Sequence, residues 1–155
     1  MDRFFFIGTS HQLVDPSRLA ILPRAVELEQ RLEALGARGL SKGFVVLSTC
    51  NRVEIYVQAT DGESVDVLRD GLLPIFAGLP VVDMRAFEAV HHLIRVAGSL
   101  ESMVLGENQI LGQVKCAWKR SQEQAFSTAL LDEIFRQALT GAREIRNCTG
   151  LGTRP

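Results

Sequence analysis

Cysteine is scarce in this chain of 155 residues, and the three cysteines are odd in number and widely separated. The sequence has neither a C-x-x-C pair nor a disulfide framework, which excludes a small domain held together by disulfides. A reducing, cytoplasmic setting is therefore predicted. A single domain of this length buries roughly 68–70% of its unfolded surface and can fold without such cross-links.

Long apolar runs and an excess of charge are also missing. No stretch approaches the roughly 18 residues of a membrane-spanning helix, and no basic-then-apolar signal segment opens the chain, so we expect a soluble protein without a membrane partner. The 17 basic and 18 acidic residues give a net charge of −1. This balance lacks the electrostatic footprint of a dedicated nucleic-acid binder, so an RNA would have to be bound locally.

The hydrophobic pattern indicates an α+β fold in a single domain, 1–155. It predicts strands near 4–7, 43–47, 53–58 and 81–87, and helices near 23–35, 64–76, 88–98, 107–124 and 128–146. The first six elements follow the order β-α-β-β-α-β, typical of a ferredoxin-like antiparallel sheet with both helices on one face. The later helices form a C-terminal helical extension, and residues 149–155 resemble the start of a linker.

The third predicted strand is expected to have one covered face. In it, apolar residues alternate with polar ones: Val53, Ile55 and Val57 with Glu54, Tyr56 and Gln58.

Cys50 lies in the polar connection between the second and third predicted strands. Such connections lie at the surface, where rigid neighbours can hold a functional side chain in place. A nearby arginine, hydroxyl donors and backbone N–H groups favour the thiolate, and the residues that could supply these groups are Ser48, Thr49, Asn51 and Arg52. The alternative is a half-buried structural thiol in a hairpin, because free cysteines are often buried.

A second polar segment follows the sheet, around Gly106. Gln109 and Gln113 lie four residues apart at the start of a predicted helix and therefore share one face. Glycine allows close approach of the backbone, and the unpaired N–H groups of a helix start attract anions. The segment therefore resembles the edge of a ligand site more than the edge of a core.

Three motifs together resemble glutamyl-tRNA reductase, the first committed enzyme of tetrapyrrole synthesis by the five-carbon route. They are STCNRVEIY at 48–56, HLIRVA at 92–97 and SMVLGENQILGQ at 102–113. The resemblance covers essentially the whole chain as the N-terminal catalytic domain of that family. It implies that an NADPH-binding domain and a helical dimerisation domain are absent here, so that the chain is a truncated fragment or an isolated domain.

The resemblance also implies a mechanism. The thiolate at Cys50 attacks the ester of glutamyl-tRNA and forms a glutamyl thioester, which NADPH reduces to glutamate-1-semialdehyde for heme and chlorophyll synthesis. A thiolate suits this step because it attacks esters readily and its thioester accepts hydride better than an oxygen ester. The guanidinium of Arg52 matches the free side-chain carboxylate of the substrate in two-point geometry.

Further site residues and partners follow from the same resemblance. His92 is a catalytic candidate that could orient the thiol, take its proton or donate to the leaving ribose oxygen. The matching substrate-pocket positions are Thr49, Asn51, Ser102, Glu107, Asn108, Gln109 and Gln113. The implied partners are glutamyl-tRNA, a second subunit bound through the absent dimerisation domain, and a downstream glutamate-1-semialdehyde aminomutase. Neither a metal nor heme is implied as a cofactor.

Two other functions remain open from the residues alone. A stand-alone thiol hydrolase built on Cys50 and His92 would need a third group to orient the histidine, and no acidic residue stands out for that role. A non-catalytic RNA-binding module would stack bases on exposed aromatic rings of the sheet. Only Phe4, Phe5, Phe6 and Tyr56 offer such rings.

Overall fold

The structure is a computed structural model that describes residues 1–101 and 109–149. Its strands are β1 (Phe4–Ser10), β2 (Ser41–Ser48), β3 (Arg52–Ala59) and β4 (Val82–Arg85). Its helices are α1 (Pro16–Leu19), α2 (Ala25–Ala37), α3 (Gly62–Leu72), α4 (Ala86–Ala97), α5 (Gln109–Glu123) and α6 (Ala129–Thr149). A short 3-10 turn, Leu73–Phe76, continues α3.

The four strands form one antiparallel sheet in the order β2-β3-β1-β4. The central strand β1 places Phe5 opposite Val57 of β3 and opposite Arg85 of β4. Both βαβ connections therefore skip over one strand, as a ferredoxin-like unit requires. The predicted α+β architecture and its C-terminal helical extension are confirmed.

Each face of the sheet has its own core. The side chains of Phe5 and Ile7 pack with α2 and α3, so the two helices of the βαββαβ unit do lie on one face. Phe4 and Phe6 pack on the opposite face against α4, α5 and α6. Fully burying one such side chain contributes about 1.5–3 kcal/mol. The helical extension thus completes a second core.

The expectation of one covered face for β3 is wrong. Glu54 and Tyr56 are 2% and 0% exposed, because the helical extension covers the face to which they point. Because these two residues are polar, the strand has the alternating pattern that is typical of a strand with one face exposed to solvent. Among the described residues, the predicted elements otherwise exist with boundaries shifted by a few residues, and the short helix α1 is the one element that the sequence pattern did not predict.

Candidate active site

The connection that carries Cys50 is a tight turn between β2 and β3. The backbone N–H of Thr49 donates to the carbonyl oxygen of Arg52 at 2.9 Å. Within the turn, the N–H of Asn51 donates to Oγ1 of Thr49 at 3.2 Å. Cys50 lies between these residues with an exposed side chain. The thiol is accessible, which removes the alternative of a half-buried structural cysteine.

A second loop holds this turn from the side. The N–H of His11, just beyond β1, donates to the carbonyl oxygen of Asn51 at 2.8 Å. Ser10 and Arg52 are direct partners in the β1–β3 ladder. The turn is therefore attached to the two central strands of the sheet, which limits its freedom to move.

Next to the turn, a pocket of about 140 Å³ opens on the face covered by the helical extension. Its lining includes Phe6, Gly8, Arg52, Glu54, Met84 and His92. Strand geometry explains part of this set, because side chains at alternate positions point to the same face and Arg52 and Glu54 are two residues apart on β3. Of the predicted site residues, Arg52 and His92 are thus brought together here.

A buried carboxylate and an imidazole form the centre of the pocket. Oε2 of Glu54 lies 2.6 Å from Nε2 of His92, and the two side chains are 3% and 14% exposed. The His92 ring stacks on Phe6 with the ring centroids 4.1 Å apart. The carboxylate can only accept hydrogen bonds, so a neutral His92 must carry its proton on Nε2 and expose a lone pair on Nδ1.

Two further groups hold Glu54 in place. Nη1 of Arg52 donates to Oε2 of Glu54 at 3.2 Å, and the hydroxyl of Tyr56 donates to Oε1 at 2.6 Å. Burial alone raises the pKa of Glu54, but the hydrogen bond and charge of His92, with the charge of Arg52 and the Tyr56 hydroxyl, lower it overall. Burial and the neighbouring Glu54 raise the pKa of Tyr56. The carboxylate is therefore held ionised.

Sequence reasoning missed Glu54. The signal that could have found it was its place on β3, two residues from Arg52 and two from Tyr56, because those positions share one face. A buried carboxylate needs charged or hydrogen-bonding partners, and this face of β3 supplies Arg52 and Tyr56.

Gly8 makes room for the carboxylate. A Cβ atom at Gly8, the direct ladder partner of Glu54, would lie 2.7 Å from the carbonyl oxygen of Val53 and 2.9 Å from Cγ of Glu54. Only glycine allows this close approach of β1 and β3.

Glu101 is a second residue that sequence reasoning missed. Its carbonyl oxygen accepts from Nη2 of Arg52 at 2.6 Å, and its carboxylate accepts from Nε of Arg95 and from the side chain of Gln12. Partial burial raises the pKa of Glu101, but the Arg95 and Gln12 hydrogen bonds outweigh it and lower the pKa overall. The residue joins the end of α4 to the pocket.

The remaining predicted site residues do not lie together in one pocket. Thr49 and Gln113 line a separate cleft of about 250 Å³ beside the edge strand β2. Gln109 is exposed at the first described residue of α5. Ser102, Glu107 and Asn108 lie outside the described residues.

The sheet does not suit RNA stacking. The rings of Phe4, Phe5, Phe6 and Tyr56 are each at most 1% exposed, because helices cover both faces. The fold and the site instead define an α+β domain with an enzyme-like polar pocket beside an accessible thiol.

The family model described as the N-terminal domain of glutamyl-tRNAGlu reductase matches residues 7–149. The chain belongs to the glutamyl-tRNA reductase family, and it corresponds to the N-terminal domain. The names of its relatives make this a family of oxidoreductases.

Individual relatives agree with the family. The chain is 38% identical to glutamyl-tRNA reductase of Aeropyrum pernix over 92% of the chain and 33% of the relative. It is 37% identical to that of Synechocystis sp. over 95% of the chain and 36% of the relative. The solved structure of glutamyl-tRNA reductase from Methanopyrus kandleri superposes with a TM-score of 0.79 at 31% identity, covering 95% of this chain and 35% of that one. The chain thus spans about a third of the length of these relatives.

The described residues contain neither a membrane-spanning helix nor a cluster of metal ligands. None of the helices in 1–101 and 109–149 is long and apolar enough to cross a membrane. Over the same ranges, no group of three or more His, Cys, Asp or Glu side chains is arranged to hold a metal ion.

Proposed function

We propose that this chain is the acyl-accepting domain of a glutamyl-tRNA reductase, in which the Cys50 thiolate takes the glutamyl group from glutamyl-tRNA. The observation that carries the proposal is the position of the thiol. Cys50 is exposed at the tip of a turn whose neighbour Thr49 lines one cleft, while Arg52 lines a second pocket. A bound ester could therefore extend from the thiol in both directions.

The transfer step balances without an external oxidant or reductant. The sulfur of Cys50 adds to the ester carbonyl carbon, and a C–S bond forms. The bond from that carbon to the ribose oxygen then breaks, and the ribose oxygen leaves as a hydroxyl after it receives a proton. The thiol loses one proton and the leaving ribose oxygen gains one. A single group that accepts a proton and later donates it is therefore sufficient.

His92 is the group proposed for this proton transfer. Its Nε2 is engaged with Glu54, so Nδ1 is the nitrogen that remains to take the thiol proton or to protonate the ribose oxygen. Glu54 would hold the ring in one orientation and stabilise the imidazolium, as an acidic residue does for a histidine in catalytic triads.

Arg52 is proposed to bind the side-chain carboxylate of the glutamyl group. Arginine has five N–H donors, and two of these are engaged with Glu54 and with the carbonyl of Glu101. The guanidinium is 2% exposed and lines the pocket, so its position is fixed before a substrate binds. A carboxylate entering the pocket would use its remaining donors.

NADPH is proposed as the hydride donor of the whole enzyme, as the family resemblance implies. The described residues do not fit this cofactor, because dinucleotides bind at parallel strands with a glycine-rich turn and this sheet is antiparallel throughout. The proposed acyl transfer does not depend on NADPH. The dimer, the aminomutase partner and the cytoplasmic location also stay predictions.

The proposal is tested by trapping the acyl-enzyme. The protein is incubated with glutamyl-tRNA labelled in the glutamate, and protein-bound label that hydroxylamine releases is counted as thioester. Cys50→Ser should lose this label. Cys148→Ser is the matched control, since Cys148 is also exposed but lies far along the chain on α6. Equal labelling of Cys50→Ser would refute the assignment of the nucleophile.

A stand-alone thiol hydrolase is a second candidate, and one observation favours it. Glu54 supplies the third group that a histidine needs, at 2.6 Å from His92. A hydrolase of this kind would turn over simple activated esters many times, at a rate that tRNA does not change. A single acylation event followed by arrest would instead support the acyl-accepting domain.

A further inference from the structure

Glu101 lies at the rim of the proposed substrate pocket. Its backbone carbonyl oxygen accepts from Nη2 of Arg52 at 2.6 Å, and the residue lines the pocket of about 140 Å³ that holds Arg52 and His92. It also lines a neighbouring pocket of about 280 Å³, together with Glu88 and Arg95. Glu101 therefore lies between two openings, and the proposed acyl transfer gives its carboxylate no role.

The position of the Glu101 carboxylate is fixed from two sides. Oε1 accepts from Nε of Arg95 at 2.6 Å, and Oε2 accepts from Nε2 of Gln12 at 3.0 Å. Arg95 lies on α4, whereas Gln12 follows β1, so two distant segments of the chain hold this side chain in one place. A carboxylate that is already positioned has little ordering cost when a cation binds to it.

The carboxylate keeps acceptor capacity for a ligand. A carboxylate has about four lone-pair sites, and the hydrogen bonds of Arg95 and Gln12 occupy two of them. The Glu101 side chain is 17% exposed, so a ligand can reach it. Partial burial raises the pKa of Glu101, but the Arg95 and Gln12 hydrogen bonds lower it overall, so the group is ionised at neutral pH.

Glu54, which lines the same pocket, has little room for a further partner. It accepts hydrogen bonds from three side chains, those of Arg52, His92 and Tyr56. It is also only 3% exposed, so a cation would have to displace one of these partners to reach it. Among the described residues that line the pocket, Glu101 is thus the carboxylate available for an additional positive charge.

The charges around the pocket match those of a glutamyl ester. Arg52 and Arg95 supply two positive charges, and the two carboxylates with which they pair, Glu54 and Glu101, balance them. A glutamyl ester is neutral as well, because it has one side-chain carboxylate and one α-ammonium group. A neutral site therefore receives a neutral ligand, and each charge of the ligand has a partner of opposite sign.

The spacing of the two partners also suits the glutamyl group. Three carbon atoms separate its side-chain carboxylate from its α-ammonium group. Three carbon atoms likewise separate the backbone carbonyl of Glu101, which contacts Arg52, from its own carboxylate. A ligand whose carboxylate binds to Arg52 can therefore reach the Glu101 carboxylate with its ammonium group.

We infer that the Glu101 carboxylate binds the α-ammonium group of the glutamyl substrate, while Arg52 binds its side-chain carboxylate. The inference rests on the proposed function and adds a second point of recognition to the same site. With both ends of the glutamyl group held, the ester carbonyl has one orientation relative to the Cys50 thiol. Esters without a free α-ammonium group, such as N-acylated glutamyl esters, should be rejected.

The alternative is a purely structural Glu101. Its carboxylate would then only join Gln12 to Arg95, and so hold the loop after β1 against α4. Loss of the carboxylate would weaken every ligand of the pocket to a similar extent, whether or not the ligand has an ammonium group. The two roles therefore differ in the affinity ratio of two ligands that differ only in that group.

The test compares two unreactive ligands, with binding followed through the amide NMR signals of the labelled protein. Isoglutamine, the α-amide of glutamate, has both the side-chain carboxylate and the α-ammonium group. Glutaric acid monoamide has the carboxylate alone. The wild type should bind isoglutamine about tenfold more tightly, as expected of a hydrogen bond between charged groups. Glu101→Gln should lose this preference and bind the monoamide as the wild type does.

Two further variants complete the test. Glu88→Gln is the matched control, because Glu88 lines the neighbouring pocket but not the pocket of Arg52. It should keep the wild-type preference for isoglutamine. Glu101→Asp covers the case in which Glu101→Gln disturbs the fold. It retains the charge on a shorter side chain, and should show a preference between those of the wild type and Glu101→Gln.

Three outcomes would overturn the inference. These are a wild type that binds both ligands equally, a Glu101→Gln protein that keeps the preference, and equal losses of both ligands in Glu101→Gln and Glu101→Asp. Failure of the proposed function is read separately. Cys50 would then remain unacylated by glutamyl-tRNA, while the wild type would still prefer isoglutamine in a manner that depends on Glu101.

Discussion

Replacing Glu54 by glutamine tests whether its charge organises the pocket. The carboxylate is 3% exposed, 3.2 Å from Nη1 of Arg52 and 2.6 Å from Nε2 of His92. Glutamine keeps the size but removes the charge, and its single amide oxygen cannot accept from Arg52, His92 and Tyr56 as the two carboxylate oxygens do. The buried Arg52 guanidinium then has no negative charge beside it. Removing one partner of a buried ion pair costs about 3–5 kcal/mol. This is a large share of the roughly 5–15 kcal/mol that stabilises a typical domain.

The loss of unfolding free energy in Glu54→Gln depends on pH in a defined direction. The pKa of Glu54 is lowered in the folded protein, because His92 and Arg52 outweigh the effect of burial. A lowered pKa contributes stability that is present above the unfolded pKa and is lost as pH falls through the folded pKa. The glutamine variant has no carboxyl group to protonate. The difference in unfolding free energy between wild type and variant should therefore narrow in acid.

Urea unfolding, followed through the fluorescence of the single tryptophan, Trp118, measures both effects. Glu133→Gln is the matched control, since that carboxylate pairs with Arg136 at 2.6 Å but is 55% exposed. The free energy of unfolding of this control variant should be close to that of the wild type. A Glu54→Gln variant whose unfolding free energy stays within about 1 kcal/mol of the wild type at neutral pH would refute this role of the charge. A difference between the two proteins that does not change with pH would refute it as well.

Three further substitutions test single contacts by the same unfolding assay. Gly8→Ala should lower the free energy of unfolding by about 1–3 kcal/mol, because its Cβ would overlap the neighbouring strand beside Glu54. An unchanged urea midpoint would contradict the close approach of β1 and β3. Tyr56→Phe removes a 2.6 Å hydrogen bond to a buried carboxylate and should cost about 1.5–3 kcal/mol; a neutral effect would mean that water replaces the hydroxyl. Ser121→Ala leaves the buried carbonyl of Phe44 without its 2.6 Å donor and should cost about 1–3 kcal/mol, unlike the same change at the exposed Ser17.

The order of the elements could be predicted because local chemistry marks each of them. The apolar, β-branched run from Phe44 to Leu47 marks a strand, and the polar residues after it mark a turn. Gly36 marks the end of a helix, although the structure extends α2 by one residue beyond it. These signals act over a few residues, so they are visible without tertiary structure.

Burial of the polar face of β3 could not be predicted in the same way. Arg52, Glu54 and Tyr56 resemble an exposed face because each is polar, and they are buried only because they satisfy one another and His92. Such compensation depends on a helix 38 residues further along the chain. The division of the predicted residues between two sites also depends on tertiary structure, since Thr49 and Arg52 are three residues apart but line different pockets.

The helical extension is part of the pocket rather than an addition to a finished ferredoxin-like unit. Glu54 lies on β3, but its partner His92 lies on α4, and the carbonyl that holds Arg52 belongs to Glu101 after α4. His92 therefore meets Glu54, and the Glu101 carbonyl meets Arg52, only when the extension packs on the sheet. Without it, Phe6 would lose its cover and Glu54 would keep only Arg52 and the strand's own tyrosine. Folding of the extension and assembly of the pocket should consequently occur as one cooperative event.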